Sequence, residues 1–397
     1  YGLVSDLTRV CVPGRGASDK ERVVISVSDR DCQYLKEDLE IVHSGLAEDL
    51  GEGRRIGHDF WRGHRITWTE LDMEADVRRG ELAENLKATV VTKLGENRNF
   101  TITLYHNPGA GGTTVARRIA WDLKELYPTV CLHRLSAHTQ TRVEMLFHLT
   151  NLPILIIMEA ADIPSAAREQ LYKDLRARNC RAVFLYVTRS MRSEDGFTID
   201  IPMTVQEAKR FYQRYSSIAL PNRTQQLHEL AHSDLMRSYR SPFFFGLYSF
   251  EEEFTHVPDF VSAHLAGSTD RVRMVLSYLS LASRFAQASI TASILRGLLG
   301  ISQEKPIVLA EVLGEGPARL VLLRDEEAKI LHPLIAEEIL KQCLSTDSNT
   351  NLWREKLVET SCLFIDEVVD SAGSSSLTIQ KLFMPMFVSR EPWQERA

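Results

Sequence analysis

The stretch His106-Asn107-Pro108-Gly109-Ala110-Gly111-Gly112-Thr113-Thr114 limits what this chain can fold into more than any other. A strand-like run, residues 99–105 (NFTITLY), precedes it. A helix-like run follows from Thr113 to Leu126, with Ile119, Leu123 and Leu126 at helical spacing. Strand, glycine turn and helix together free backbone amides to converge at the positive end of a helix dipole, where a phosphate binds well. Against the pattern G-x-x-x-x-G-K-[ST], His106 takes the first glycine position and Gly111 the second. Gly112 takes the place of the lysine, and Thr113 that of the hydroxyl that reaches Mg²⁺. The pattern is therefore broken twice, at His106 and at Gly112. The plain alternative is a glycine turn that only caps a helix.

The surroundings decide between the two. From residue 71 to 203 strands alternate with helices, which predicts an α/β domain around a mostly parallel sheet. Strands are expected at 129–135, 153–158, 181–188 and 197–201, and helices at 81–93, 139–149 and 165–178. The run 153–158 (PILIIM) has no polar interruption, as suits a strand buried on both faces. It leads into Glu159, with Asp162 close behind, and phosphoryl-transfer sites place an acid there to hold the Mg²⁺ shell. The run 181–188 leads into Arg189, and ligands in open α/β sheets sit at strand carboxyl ends. Glu159, Asp162 and Arg189 are thus the candidate catalytic groups, and Thr113 with Glu159 the candidate metal ligands. Asn107, Pro108, Gly109, Ala110, Gly111, Gly112, Thr113 and Thr114 are the candidate phosphate contacts.

At 397 residues the chain has room for several domains. Residues 1–70 hold one strand-like run (22–27) and one helix-like run (31–50), and read as the end of an upstream domain plus a linker. Their last part, 60–68 (FWRGHRITW), is aromatic and basic, and is expected to pack against the next domain, with nucleic-acid contact as the alternative. Residues 204–286 are helical (205–215, 224–235, 242–266, 270–285) and read as a lid. Within 287–345 the order is two helices, two strands (320–323 and 329–331) and a helix, as in a winged-helix module, and 346–397 is a helical tail. The net charge of −6 opposes a protein that coats nucleic acid. Six scattered cysteines without a C-x-x-C pair are expected to be reduced thiols of a cytoplasmic protein. No apolar run reaches the roughly 18 residues of a membrane helix. The first residue is Tyr1, as expected of a piece cut from a longer protein.

The loop PGAGGTT followed by A-R-R-x-A-W-D-L resembles the STAND class of signal-transducing P-loop ATPases, relatives of the AAA+ proteins. It is most similar to the P-loop region of sterile-alpha-motif-containing antiviral factors and their bacterial defence relatives. The resemblance extends from about residue 72 to 343. It implies that the segment 76–82, with Val77 and Arg79, wraps adenine, and that Thr188-Arg189 is a sensor beside the loop strand. It further implies that Pro242 is the lid proline that touches the nucleotide, and that His332, in HPLIAEEIL, reaches the β-phosphate from the winged-helix module. The expected ligand is ATP or ADP with Mg²⁺, and the expected behaviour is a switch that assembles into homo-oligomers. Two departures bear on turnover. Gly112 cannot supply the lysine charge that stabilises a leaving γ-phosphate, and Ala160 stands where relatives hold a water-activating glutamate. Arg189, Arg117 or an arginine of a neighbouring chain are the candidates to replace the charge. Slow or absent hydrolysis is expected. The competing readings are a slow genuine ATPase and a nucleic-acid-binding scaffold with a vestigial nucleotide site.

Overall fold

The long apolar runs become the inner strands of one sheet. A computed structural model describes residues 10–16, 21–47, 60–61, 65–107, 109–159, 163, 165–188, 196–200, 202–251, 254–286, 288–302, 304, 306–324, 327–345, 353–371, 382–383 and 386. The chain divides into two units, Tyr1–Phe250 and Glu251–Ala397, so that the helical stretch 204–286 contributes to both.

The first unit opens with a hairpin, β1 (Cys11–Arg15) and β2 (Arg22–Ser26), then α1 (Asp29–Lys36), β3 (Leu39–Ile41) and α2 (Trp68–Asp72). There follow α3 (Glu81–Gly95), β4 (Phe100–His106), α4 (Gly112–Leu123), β5 (Thr129–Leu132) and α5 (Thr139–Thr150). Next come β6 (Ile154–Glu159), α6 (Ser165–Ala177), β7 (Ala182–Thr188) and β8 (Phe197–Ile199). The unit closes on α7 (Val205–Ser216), α8 (Thr224–His232) and α9 (Pro242–Phe250).

The main sheet has the order β3-β5-β6-β7-β4-β8. Every pairing is parallel except that of β3 with β5. Period-two alternation explains why its inner strands are apolar throughout. On β6, Leu155 and Ile157 join the core under α3 and α4, while Ile154, Ile156 and Met158 join the core under α1 and α5. The loop strand β4 has β7 on one side and β8 on the other. Since the chain passes from β4 to the distant β5, and later returns to β8 on the opposite flank, β4 marks the switch point of the sheet. The result is the mostly parallel α/β sheet that the sequence predicts, with the glycine turn at the carboxyl end of β4.

Three differences from the sequence reading have physical causes. The stretch 31–50 is not one helix: α1 stops at Lys36, and Leu39–Ile41 leaves the helical pattern to pair with β5. Residues 10–47 therefore belong to the α/β unit, and β3 is its edge strand. The strand β1 hid behind Pro13 and Gly14, which ordinarily mark loops and are tolerated here in a two-stranded ribbon. The single helix expected over 242–266 is two, because Pro258 suits only the first turn of a new helix, α10 (Val257–Leu265).

The second unit continues with α11 (Asp270–Leu281), β9 (Ile290–Thr291), α12 (Ala292–Leu299), α13 (Leu309–Leu313) and α14 (Glu315–Ala318). It ends with β10 (Val321–Arg324), β11 (Glu327–Ile330), α15 (Pro333–Leu344) and α16 (Trp353–Ser371). Its strands form an antiparallel sheet in the order β10-β11-β9. No helix among the described residues is long and apolar enough to cross a membrane.

Candidate functional site

The glycine turn starts where β4 ends. Gly109 (φ 76°) and Gly111 (φ 86°) both adopt left-handed backbone, which side chains avoid, so these two glycines are required by the turn itself. Gly111 is the N-cap of α4, and the first helical bond runs from Val115 N–H to the Gly111 carbonyl. The amides of Gly112, Thr113 and Thr114 have no intrahelical acceptor by helix geometry, and they point to the mouth of the helix. The Asn107 amide is tied to the Ile199 carbonyl of β8 at 3.3 Å, and Ala110 N–H bonds the Asn107 carbonyl at 3.1 Å. Thr113 and Thr114 are half-buried in the first turn. Pro108 lies outside the described residues.

Arg79 does more here than the adenine segment was expected to do. Its guanidinium is only 6% exposed. It donates to the Ala110 carbonyl inside the loop and pairs with Glu207 Oε1 of α7 at 3.0 Å. Glu207 also completes the capping box on Thr204 at the start of α7. Burial pulls the guanidinium below its ordinary value, and Glu207 opposes that pull. One buried cation thus fastens the loop backbone to the helix that follows the sheet. Val77 is half-buried in the same segment, which is held against α4 by Arg118 and Asp76. Burial lowers the Arg118 guanidinium, but Asp76 outweighs it and the net displacement is upward.

Pro242 opens α9 beside the glycine turn. Its Cγ would lie 3.5 Å from a β-carbon added at Gly111, and the Phe243 amide reaches the Gly109 carbonyl at 3.4 Å. The start of α9 therefore abuts the cradle.

At the carboxyl edge, Thr188 of β7 lies in register with Tyr105 of β4, and Val187 with Glu159 of β6. The strand β7 is thus the neighbour of the loop strand. Glu159 stands two strands from it, roughly 10 Å at ordinary strand spacing. Arg65 forms an ion pair with Glu159, a partnership no sequence signal announced because 94 positions separate the two. Asp162, Arg189 and Ala160 lie outside the described residues. A half-buried threonine hydroxyl and one carboxylate, both oxygen donors, suit Mg²⁺ that is otherwise held by phosphates. Among the described residues no cluster of three or more His, Cys, Asp or Glu could hold a metal unaided.

Arg117 cannot replace the lysine. It is buried on the other side of α4, donating to the Ile66 carbonyl (3.0 Å) and Glu40 (3.1 Å) and lying 4.6 Å over the Trp68 ring. The described part of the aromatic-basic patch serves packing. Trp68 stacks on Trp121, Trp61 stacks on Phe250, and both indoles are buried. A β-carbon on Gly246 would run into the Trp61 carbonyl, which accounts for a glycine inside α9. His332 belongs to the second unit, where it is the N-cap of α15, its Nδ1 accepting from the Leu334 amide at 3.2 Å.

No family model matches the chain. It is similar to the human sterile alpha motif domain-containing protein 9-like, with 22% identity over 388 residues, covering 85% of this chain and 24% of that protein. The mouse protein of the same name matches at 22% over 333 residues, 71% of this chain and 20% of its own length. The chain thus spans about a quarter or less of these relatives. Among solved structures, it is similar to a STAND protein with a tetratricopeptide repeat sensor from Pyrococcus horikoshii, at 13% identity and TM-score 0.40, covering 78% of this chain and 47% of that one. The RuvB Holliday junction branch migration motor of Thermotoga maritima aligns at 16% identity and TM-score 0.28, over 68% of this chain and 95% of its own.

Proposed function

We propose that this chain, which has the fold of the STAND-class P-loop NTPases, is a nucleotide-dependent switch that binds ATP or ADP with Mg²⁺ and hydrolyses it slowly or not at all. The observation that carries this reading is the cradle: two left-handed glycines at the mouth of α4, with a third glycine where an ammonium group would stand. Amides and a helix dipole suffice to hold a polyphosphate, whereas charge on a departing γ-phosphate calls for a fixed cation. Thr113 and Glu159 would hold Mg²⁺, which when bound neutralises phosphate charge.

Binding has a path to the rest of the molecule. Arg79 grips the Ala110 carbonyl with one arm and Glu207 with the other, so a loop that shifts on its ligand pulls on the start of α7. A ligand biases a switch only through contacts that differ between its states. His332 at the start of α15 is the proposed contact from a winged-helix module, read from the β9–α12–β10–β11 elements. Release of that contact would free the chain to form homo-oligomers that gather effector domains. Innate antiviral signalling in the cytoplasm is the setting we propose, on the likeness to the sterile-alpha-motif proteins.

Mass spectrometry of nucleotide co-purifying with the chain tests binding. Stoichiometric ADP or ATP, with fewer than one turnover of radiolabelled ATP per hour, is the expected result. Rapid multiple turnover would replace the switch with a motor, and no bound or bindable nucleotide would end the reading.

A further inference from the structure

The carboxylate proposed for Mg²⁺ already has a cation on it. Glu159, at the carboxyl end of β6, is paired with Arg65, and the two side chains are 21% and 36% exposed. Arg65 is placed there by its own backbone, because the residues that follow it are fastened in turn. Ile66 is buried in the core under α4, and its carbonyl accepts from Arg117 at 3.0 Å. Thr67 caps α2 in a reciprocal pair with Glu70. The Trp68 indole donates to Glu40 of β3 at 2.7 Å and stacks on Trp121. Two opposite pairs, Glu40 with Arg117 and Glu159 with Arg65, act on one thiol, that of Cys131 on β5, which burial pushes up to about 12. Arg117 is committed to Glu40, and Arg65 is the guanidinium at Glu159.

We propose that Arg65 sets the metal requirement of the nucleotide site, standing in for Mg²⁺ on Glu159 until the metal displaces it. This rests on the nucleotide reading above. A guanidinium stays charged at physiological pH, so the pair does not depend on a protonation state. A bare carboxylate on this rim would repel an arriving polyphosphate. Paired, the two side chains carry no net charge, and a nucleotide without metal meets no such barrier. Mg²⁺, conversely, needs that carboxylate as one of its few protein ligands. It must take Glu159 from Arg65 or share it with a cation alongside. Like charges a few ångströms apart repel, so either course weakens the hold on the metal. Arg65 thus works for the nucleotide and against the ion, and the site holds ADP with or without magnesium.

Calorimetric titration of the full chain with ADP, once in EDTA and once in excess magnesium chloride, tests this through the ratio of the two affinities. In the parent chain magnesium should tighten binding by no more than about threefold. Arg65→Gln should bind less tightly in EDTA and more tightly with magnesium, for a ratio of roughly tenfold or more. Arg65→Lys keeps the charge and should stay near the parent. Glu159→Gln should be indifferent to magnesium, and adding Arg65→Gln to it should change the ratio no further. An Arg65→Gln ratio equal to the parent's or below it would overturn the proposal, since that is the mark of an arginine that supports the metal ligand. A larger gain from magnesium in the parent overturns it without any variant, which keeps the test decisive should Arg65→Gln fail to fold. If the parent binds ADP in neither buffer, the nucleotide reading itself fails and the role of Arg65 falls with it.

Discussion

Two polar clusters stand on the carboxyl edge of the main sheet, and only one is closed. Around Asp38, just before β3, Ser136, Thr139, Arg134 and Arg142 all donate to one carboxylate with no exposure of its own. Arg142 is 2% exposed, pairs with Glu37 as well, and lies over Tyr34. Burial alone would raise the Asp38 carboxyl. The bonds from Ser136, Thr139, Arg134 and Arg142 more than offset it and hold the group at about 2. Around the glycine turn, by contrast, the single buried guanidinium of Arg79 is spent on a carbonyl and on Glu207, and the amides of the first helical turn are left facing outward. A saturated cluster stabilises a fold; an incompletely satisfied one has capacity for a ligand. The same edge holds both, and what separates them is which donors already have acceptors.

The contrast can be broken at its strong end first. Asp38→Ala leaves Arg142 buried beside one half-exposed glutamate, and should cost about 3–5 kcal/mol in urea denaturation, while folded protein binds nucleotide as before. Acid probes the same carboxylate. Its folded value lies below the ordinary 3.8, so its contribution is complete above about 4 and is lost as pH falls through about 2. That contribution amounts to about 2–3 kcal/mol, and Asp38→Asn should flatten the stability-versus-pH curve across this window. At the open cluster, Arg79→Ala strips both the Ala110 carbonyl and Glu207 of their buried partner, for a loss of about 2 kcal/mol. Nucleotide binding should weaken with it, because the loop loses its anchor. Gly111→Ala is smallest in stability, about 1–2 kcal/mol for a side chain in left-handed backbone. Calorimetry should show it losing at least tenfold in nucleotide affinity. If Gly111→Ala bound nucleotide normally while Asp38→Ala did not, the assignment of closed and open would be reversed.

Much of this was legible in the linear chain, for a definable reason. The runs that became β6 and β7 are apolar without interruption because both sheet faces are covered, and burial on both sides leaves a mark in composition. The cradle was legible because left-handed backbone demands glycine. The illegible parts are all long-range. Leu39–Ile41 sits in a run rich in Glu, Asp and Leu that reads as helix, and only pairing with β5 makes it a strand. Arg79, Arg65 and Arg117 look alike on paper. One holds the loop carbonyl, one holds Glu159 and one lies behind α4, and partners tens of positions away decide which. His106 read as a lost glycine because its packing against Gly112, where a β-carbon would overlap the imidazole, exists only once strand and helix are folded against each other.

The antiparallel margin formed by β3 bears on how the α/β core can be isolated. Cutting the chain at residue 71, where composition suggests a border, would strip Leu39–Ile41 from β5 and take Glu40 from Arg117 and Asp38 from Arg142. The shortened protein would present an unpaired row of amides and carbonyls beside two stranded guanidinium groups, an invitation to edge-to-edge stacking. Its clumping would reflect the missing selvedge and say nothing about the oligomeric state of the intact chain.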